Sequence, residues 1–193
     1  MESWDSRYAQ GKYSTDRPHR LLIGLAEELA PGRALDLACG TGRHANYLAG
    51  KGWQVTAVDS SPVGLGIARR RAGEKGLEVE YLLADLEKGE FGIEPDSFDL
   101  ICDFYYLQRD LFEAMKLGVR PGGRIVSTVH LYDEGDESPF LLNDGELAGF
   151  FADFRVLHFH ETSLTDRDPG EHHRRTAEII AQRPYPKNRT PTN

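Results

Sequence analysis

The stretch Ala34-Leu-Asp-Leu-Ala-Cys-Gly-Thr-Gly-Arg-His-Ala45 constrains this chain more than any other. An apolar run, expected as a strand over Ala34–Ala38, passes straight into Gly40 and Gly42 and then into a helix. Glycines at such a bend leave no Cβ between backbone and ligand. The N–H groups that open the following helix favour a negative or polar group in front of them. Asp59, roughly twenty residues further on, ends the next expected strand, where a carboxylate can accept both hydroxyls of a ribose. A nucleoside cofactor follows, of a kind left open. Gly40-Thr-Gly42-Arg-His-Ala45 also fits the G-x-G-x-x-A of dinucleotide enzymes.

The rest of the chain continues the alternation. Gln54–Val58, Val79–Leu83, Phe98–Cys102 and Arg124–His130 are short apolar runs bounded by Gly, Pro or Asp, the signature of strands. His44–Gly50, Pro62–Lys75 and Asp110–Gly118 are expected helices between them. An amphipathic helix over Arg17–Ala30, stopped by Pro31 and Gly32, precedes the series. This rhythm predicts a doubly wound α/β fold: a mostly parallel sheet ordered 3-2-1-4-5, its strands apolar on both sides, with helices on both faces. Beyond His130 the pattern changes. Asp144–Phe150 reads as a short helix. Phe154–Phe159 and Ala177–Gln182 read as an antiparallel C-terminal strand pair joined by turn residues near Thr165–Gly170. Residues 17–183 are expected as one domain, preceded by a segment 1–16 and followed by an exposed tail 184–193.

Charge narrows the partners. The net charge of −8 argues against a binder of nucleic acid, which carries a basic face. Arg69, Arg70 and Arg71 then read as a solvated helix face. No apolar stretch approaches the roughly 20 residues that span a bilayer, and Met1–Gln10 is polar, unlike a secretory signal. Two cysteines, Cys39 and Cys102, make no disulfide framework; small buried thiols in a reducing, cytoplasmic setting are expected. His158 and His160 share one side of a strand, while His172 and His173 face opposite sides. No Cys/His spacing matches zinc, so no metal is expected. A monomer or homodimer acting on a small molecule is the expected form.

Four features decide between the nucleoside cofactors. Asp36 lies inside the first strand, where dinucleotide folds keep an apolar residue. Ala84-Asp85-Leu86 closes the third strand and offers Asp85 to the exocyclic amine of an adenine. Phe98-Asp-Leu-Ile-Cys-Asp-Phe104 puts Asp103 at the tip of the fourth, and Leu117-Gly-Val-Arg-Pro-Gly-Gly-Arg124 leads into the fifth. Over about Trp4 to His130 the chain resembles a class I S-adenosylmethionine-dependent methyltransferase, of Rossmann-like fold. Trp4-Asp-Ser-Arg-Tyr8, Gly11 and the run Arg43–Asp59 are similar to the tellurite- and thiopurine-type enzymes. The departure is Ala38, where many members carry a first glycine.

The resemblance implies roles. Ala38, Cys39, Gly40 and Gly42 would form the floor under the methionine and ribose parts of S-adenosylmethionine and of its product, S-adenosylhomocysteine. Asp36 would hold the methionyl ammonium, Asp59 the ribose, and Ser60, Ala84, Asp85 and Leu86 the adenine. Asp103 and Phe104 would line the meeting point of methyl and acceptor. Trp4, Tyr8 and Tyr13 are expected as a lid, with Tyr105 on the acceptor side. Each residue has a structural alternative: a cap for Asp36, a turn for Asp85, core packing for Phe104 and Tyr105.

A thiol or chalcogen acceptor needs no base, whereas an amine or hydroxyl must lose a proton. Asp103, His44 and His130 are the candidate catalytic groups for that step. The acidic stretch Leu131–Asn143, with Asp133, Glu134, Asp136 and Glu137, is either an acceptor-binding insertion or a solvated connection. As an acidic rim it would disfavour tellurite-like anions. The alternatives to a methyltransferase are a non-catalytic module that binds S-adenosylmethionine and a nicotinamide-dependent oxidoreductase.

Overall fold

The computed structural model describes residues 2–134, 138–162 and 174–186. Its strands are β1 Arg33–Leu37, β2 Gln54–Asp59, β3 Glu80–Leu83, β4 Phe98–Phe104, β5 Val119–His130, β6 Arg155–Glu161 and β7 Thr176–Gln182. Its helices are α1 Trp4–Ala9, α2 Arg20–Glu28, α3 Arg43–Gly50, α4 Pro62–Glu74, α5 Leu111–Gly118 and α6 Glu146–Phe150. The strands form one sheet in the order β3-β2-β1-β4-β5-β7-β6. The first five are parallel, and β7 runs antiparallel between β5 and β6. Strand order reverses between β1 and β4, and a crevice at their carboxyl ends is where such sheets take ligands.

Alternation along each strand divides the core. Leu35, Leu37, Ile101, Ile125 and Val129 pack on one face with α5 and α6. Ala34, Val55, Ala57, Leu100, Cys102 and Val126 pack on the other with α2, α3 and α4. The central strands are therefore apolar on both sides, as expected for parallel strands covered twice. β3 departs from that expectation: Glu80 and Leu83 are exposed because β3 is the sheet edge.

Several element limits differ from the sequence reading, for local reasons. β1 stops at Leu37 because Ala38 turns left-handed at φ 50°. α2 begins at Arg20, where the His19 ring accepts the Leu21 N–H at 3.3 Å and caps the helix. β5 starts at Val119, not Arg124: Gly122 N–H donates to Arg183 and Arg183 N–H donates back to Gly123, so pairing runs through the Pro-Gly-Gly segment. α1 was not expected as a helix at all; Ser3 caps it by accepting the Ser6 N–H at 3.2 Å. The Thr165–Gly170 connection, Asp136, Glu137, His172, His173 and tail residues 187–193 lie outside the described residues.

Two glycines test this packing in opposite directions. A Cβ on Gly42 would come 2.6 Å from the Ala68 Cβ, at φ +75°. Gly42→Ala is expected to cost about 2–4 kcal/mol from backbone strain and overpacking together. Gly66, in the interior of α4, has nothing within 4 Å of such a Cβ. Gly66→Ala is expected to add about 0.5–1 kcal/mol through helix propensity. Urea unfolding midpoints of the two variants check both signs.

Candidate functional site

The loop after β1 coils through three left-handed residues, Ala38, Gly40 and Gly42, at φ 50°, 55° and 75°. Cys39 N–H donates to Val58 at 3.0 Å and Gly42 N–H to Cys39 at 2.9 Å, so the loop is fastened to the end of β2 and to itself. Asp59 does most of the fastening. Its carboxylate accepts from Gly40 N–H at 2.7 Å and from Ser61 N–H at 2.8 Å. Burial raises its pKa despite these bonds. Two N–H groups occupy only part of a carboxylate's acceptor capacity.

Asp36 lies directly beneath the loop, 1 % exposed, and accepts the Ala45 N–H at 3.0 Å. Gly42, the N-cap of α3, offers no side chain, so Asp36 caps that helix from the strand below. Burial pushes its pKa up to about 7. Its structural role as a cap is therefore present in the fold.

α1 closes over the loop. Tyr8 is buried, and a Cβ on Gly40 would lie 2.6 Å from its hydroxyl. Asp5 accepts from Ser61 Oγ and from Val63 N–H, tying α1 to the start of α4. Trp4 stacks on Tyr8 at 5.6 Å and meets Tyr13 edge-on at 5.7 Å; both outer rings are about half exposed. The three expected lid aromatics thus meet, with Tyr8 as the inner one. Ser61 and Asp5 were missed in the sequence. The Ser61-Pro62 pair, a helix N-cap followed by proline, was a usable signal for the first.

Beside the loop, Ala84 and Leu86 are buried and Ser60 is exposed. The Asp85 carboxylate is turned to its own loop. It accepts Glu87 N–H at 3.0 Å and pairs with Lys88 Nζ at 2.9 Å, and the Lys88 bond chiefly lowers its pKa. Here the turn alternative describes the geometry.

The residues expected around the acceptor separate onto the two faces of the sheet. Asp103 pairs in register with Leu37 and Ser127 and shares their face, opposite Asp36. It accepts from Ser127 Oγ at 3.2 Å, while its Oδ1 has no partner among the described residues. Burial raises its pKa well above the ordinary carboxylate range. Phe104, one residue on, points to the other face. There it meets His44 at 4.0 Å and His19 at 5.1 Å, and Tyr105 lies 5.3 Å from His130 and under the Arg43 guanidinium at 5.5 Å. Burial drives the His44 pKa well down, leaving a neutral imidazole whose Nε2 has no hydrogen-bond partner among the described residues. His44 and His130 thus cluster with Phe104 and Tyr105, and Asp103 does not join them.

His19 and Glu178 were also missed. Glu178, buried on β7, accepts from Arg20 at 3.1 Å and sits 3.5 Å from His19 Nε2. A lone acid in the apolar run Ala177–Gln182 was its signal. Cys39 and Cys102 are buried free thiols whose pKa burial raises. Among the described residues no group of three or more His, Cys, Asp or Glu could hold a metal, and no helix is long and apolar enough to cross a membrane.

Residues 34–123 match the family described as "Methyltransferase domain". Over that stretch the chain is similar to this family, and its fold is Rossmann-like, as the sequence resemblance implied. It is 40% identical over 119 residues to demethylmenaquinone methyltransferase of Thermus thermophilus, covering 57% of this chain and 52% of that protein. In fold it is similar to TehB from Haemophilus influenzae, with TM-score 0.74, 22% identity, and 94% and 67% of the two chains covered. A second similar structure is 1,6-didemethyltoxoflavin-N1-methyltransferase of Burkholderia thailandensis, which holds S-adenosylhomocysteine. Its TM-score is 0.68 at 19% identity, covering 93% of this chain and 84% of that one. The chain spans about half the length of the curated relatives it matches.

Asp36 makes a pH prediction. A carboxyl whose pKa rises on folding, from 3.8 to about 7, binds more protons folded than unfolded between those values. Stability therefore falls as pH rises through that window. Asp36→Asn keeps an acceptor for Ala45 and is expected to flatten the fall. Urea unfolding at pH 5 and pH 7.5 checks it as the difference from wild type, because His44 titrates with the opposite sign.

Proposed function

We propose that the protein transfers a methyl group from S-adenosylmethionine to a small-molecule acceptor. One observation carries the reading. A left-handed, glycine-bearing loop lies at the strand-order reversal, with the Asp59 carboxylate fixed at the tip of the neighbouring strand. The residues fit the cofactor: the Gly40 backbone is bare except for Tyr8, and Asp59 retains acceptor capacity for sugar hydroxyls. When bound, the cofactor supplies an already activated methyl group.

Around it the chain positions and excludes. Gly40 and Gly42, with Ala38 and Cys39, form the floor, Asp59 holds the ribose, and Ser60, Ala84 and Leu86 wall the adenine. Asp36, committed by one oxygen to α3, faces the methionyl ammonium through the other or through water. The Asp85 carboxylate belongs to its turn, so adenine selectivity rests on the backbone of that segment. Tyr8 covers the bare face of Gly40, so α1 must lift to admit adenosine and reseat to exclude water. Phe104, Tyr105, His44 and His130 line the acceptor side. Of the three candidate bases, the histidines are better placed than Asp103, which lies on the other face.

Among acceptors, planar aromatic or heteroaromatic compounds suit this ring-lined side. The quinone and toxoflavin substrates named for two relatives agree with that class. Two buried free thiols support a reducing, cytoplasmic setting, and the acidic balance supports the absence of nucleic acid among its partners.

Asp59→Ala is expected to weaken S-adenosylhomocysteine binding about tenfold to a hundredfold, the value of one charge-assisted hydrogen bond. Calorimetric titration reads it directly, and wild-type affinity in the variant overturns the ribose assignment. Removing residues 1–16 is expected to speed cofactor release about tenfold. An unchanged rate in stopped-flow chase measurements sinks the lid. Formation of S-adenosylhomocysteine with a panel of quinols and heteroaromatics tests the activity. Tight cofactor binding with no product across broad acceptors favours a non-catalytic module.

A further inference from the structure

Where the segment ahead of α2 meets α3 and α4, a cavity of about 240 Å3 opens to solvent. Its lining includes none of Asp36, Gly40, Asp59 or Ala84–Leu86. Arg43, Arg71 and Lys75 line it against one acid, Asp16, together with Asn46 and Tyr47. In a chain of net charge −8 this is a local concentration of cations. Like charges that line one cavity repel unless an anion compensates them. Asp16 offsets one, standing 3.8 Å from Lys75. Among the lining residues two positive charges are left over, the Arg43 guanidinium lying also over the Tyr105 ring at 5.5 Å.

We propose that this cavity binds a small dianion of the phosphate class. Charge sets the valence: two uncompensated cations match two negative charges. Donor chemistry sets the class, since guanidinium groups present N–H forks that suit tetrahedral oxyanions. The site bears on the rest of the protein through Arg71. That guanidinium donates to Thr41 Oγ1 at 3.2 Å, in the glycine loop, and to the Ser14 carbonyl in the N-terminal segment. An anion held on Arg71 therefore consolidates the join between the segment that carries α1 and the loop it covers.

The test titrates inorganic phosphate into the full chain, with sodium chloride holding ionic strength constant. Heteronuclear NMR and thermal unfolding are the readouts. Saturable shifts at the Asn46 side-chain amide, and a melting temperature that rises with phosphate but not with chloride, are expected. Lys75→Gln and Arg43→Gln are each expected to weaken phosphate about tenfold. Arg155→Gln, on β6, is expected to leave it unchanged. Lys75 is half exposed, so its variant retains the fold, which circular dichroism verifies. Glycerol phosphate, run in parallel, separates a site for the free ion from one for a phosphorylated metabolite. Shifts that never saturate, equal responses to phosphate and chloride, or wild-type affinity in both variants overturn the proposal.

Discussion

The Asp59 carboxylate is the joint on which the upper end of the molecule turns. One oxygen holds the glycine loop through Gly40, and the other holds the start of α4 through Ser61. Ser61 in turn caps α4 at Gly64 with 2.9 Å and donates to Asp5 of α1. Loop, helix and N-terminal cover are thus wired through a single buried acid. Burial of a carboxylate is costly, and two charge-assisted bonds of about 1.5–3 kcal/mol each offset it. Burial raises its pKa even with those bonds in place. A further donor, such as a sugar hydroxyl, would relieve the remainder.

The second organising fact is that adjacent strand residues face opposite ways. Asp36, Cys102 and Val126 share one face, and Leu37, Asp103 and Ser127 the other. A one-residue step along β4 therefore decides which chemistry a side chain can join. Phe104 stands with the histidines, while Asp103 is buried on the face it shares with Leu37 and Ser127.

The parallel core was legible in the sequence because each strand is a compact apolar run closed by a turn residue. Even the order 3-2-1-4-5 of those strands followed from the alternation of strands and helices. What escaped was decided by contacts between distant segments. α1 is a six-residue helix, too short to show a period, and it forms because Tyr8 and Asp5 find partners more than thirty and fifty residues away. Asp85 was legible only as an acid after a strand; whether it faces a ligand or its own turn depended on Lys88. His19 and Glu178 meet across a separation of 159 residues, which no local pattern encodes. Ala38 was legible as a departure from glycine, but not as a residue held left-handed.

The position of β7 has a consequence for how the chain reaches this state. It lies between β5 and β6, although β6 is made first. Until residues 176–182 emerge from the ribosome, β6 has no neighbour to bond, and the far side of β5 is an open edge. The parallel half can condense during synthesis, but closure of the sheet waits for its last strand to slide into an interior slot. Until then the β5 flank is the edge at which another strand could pair.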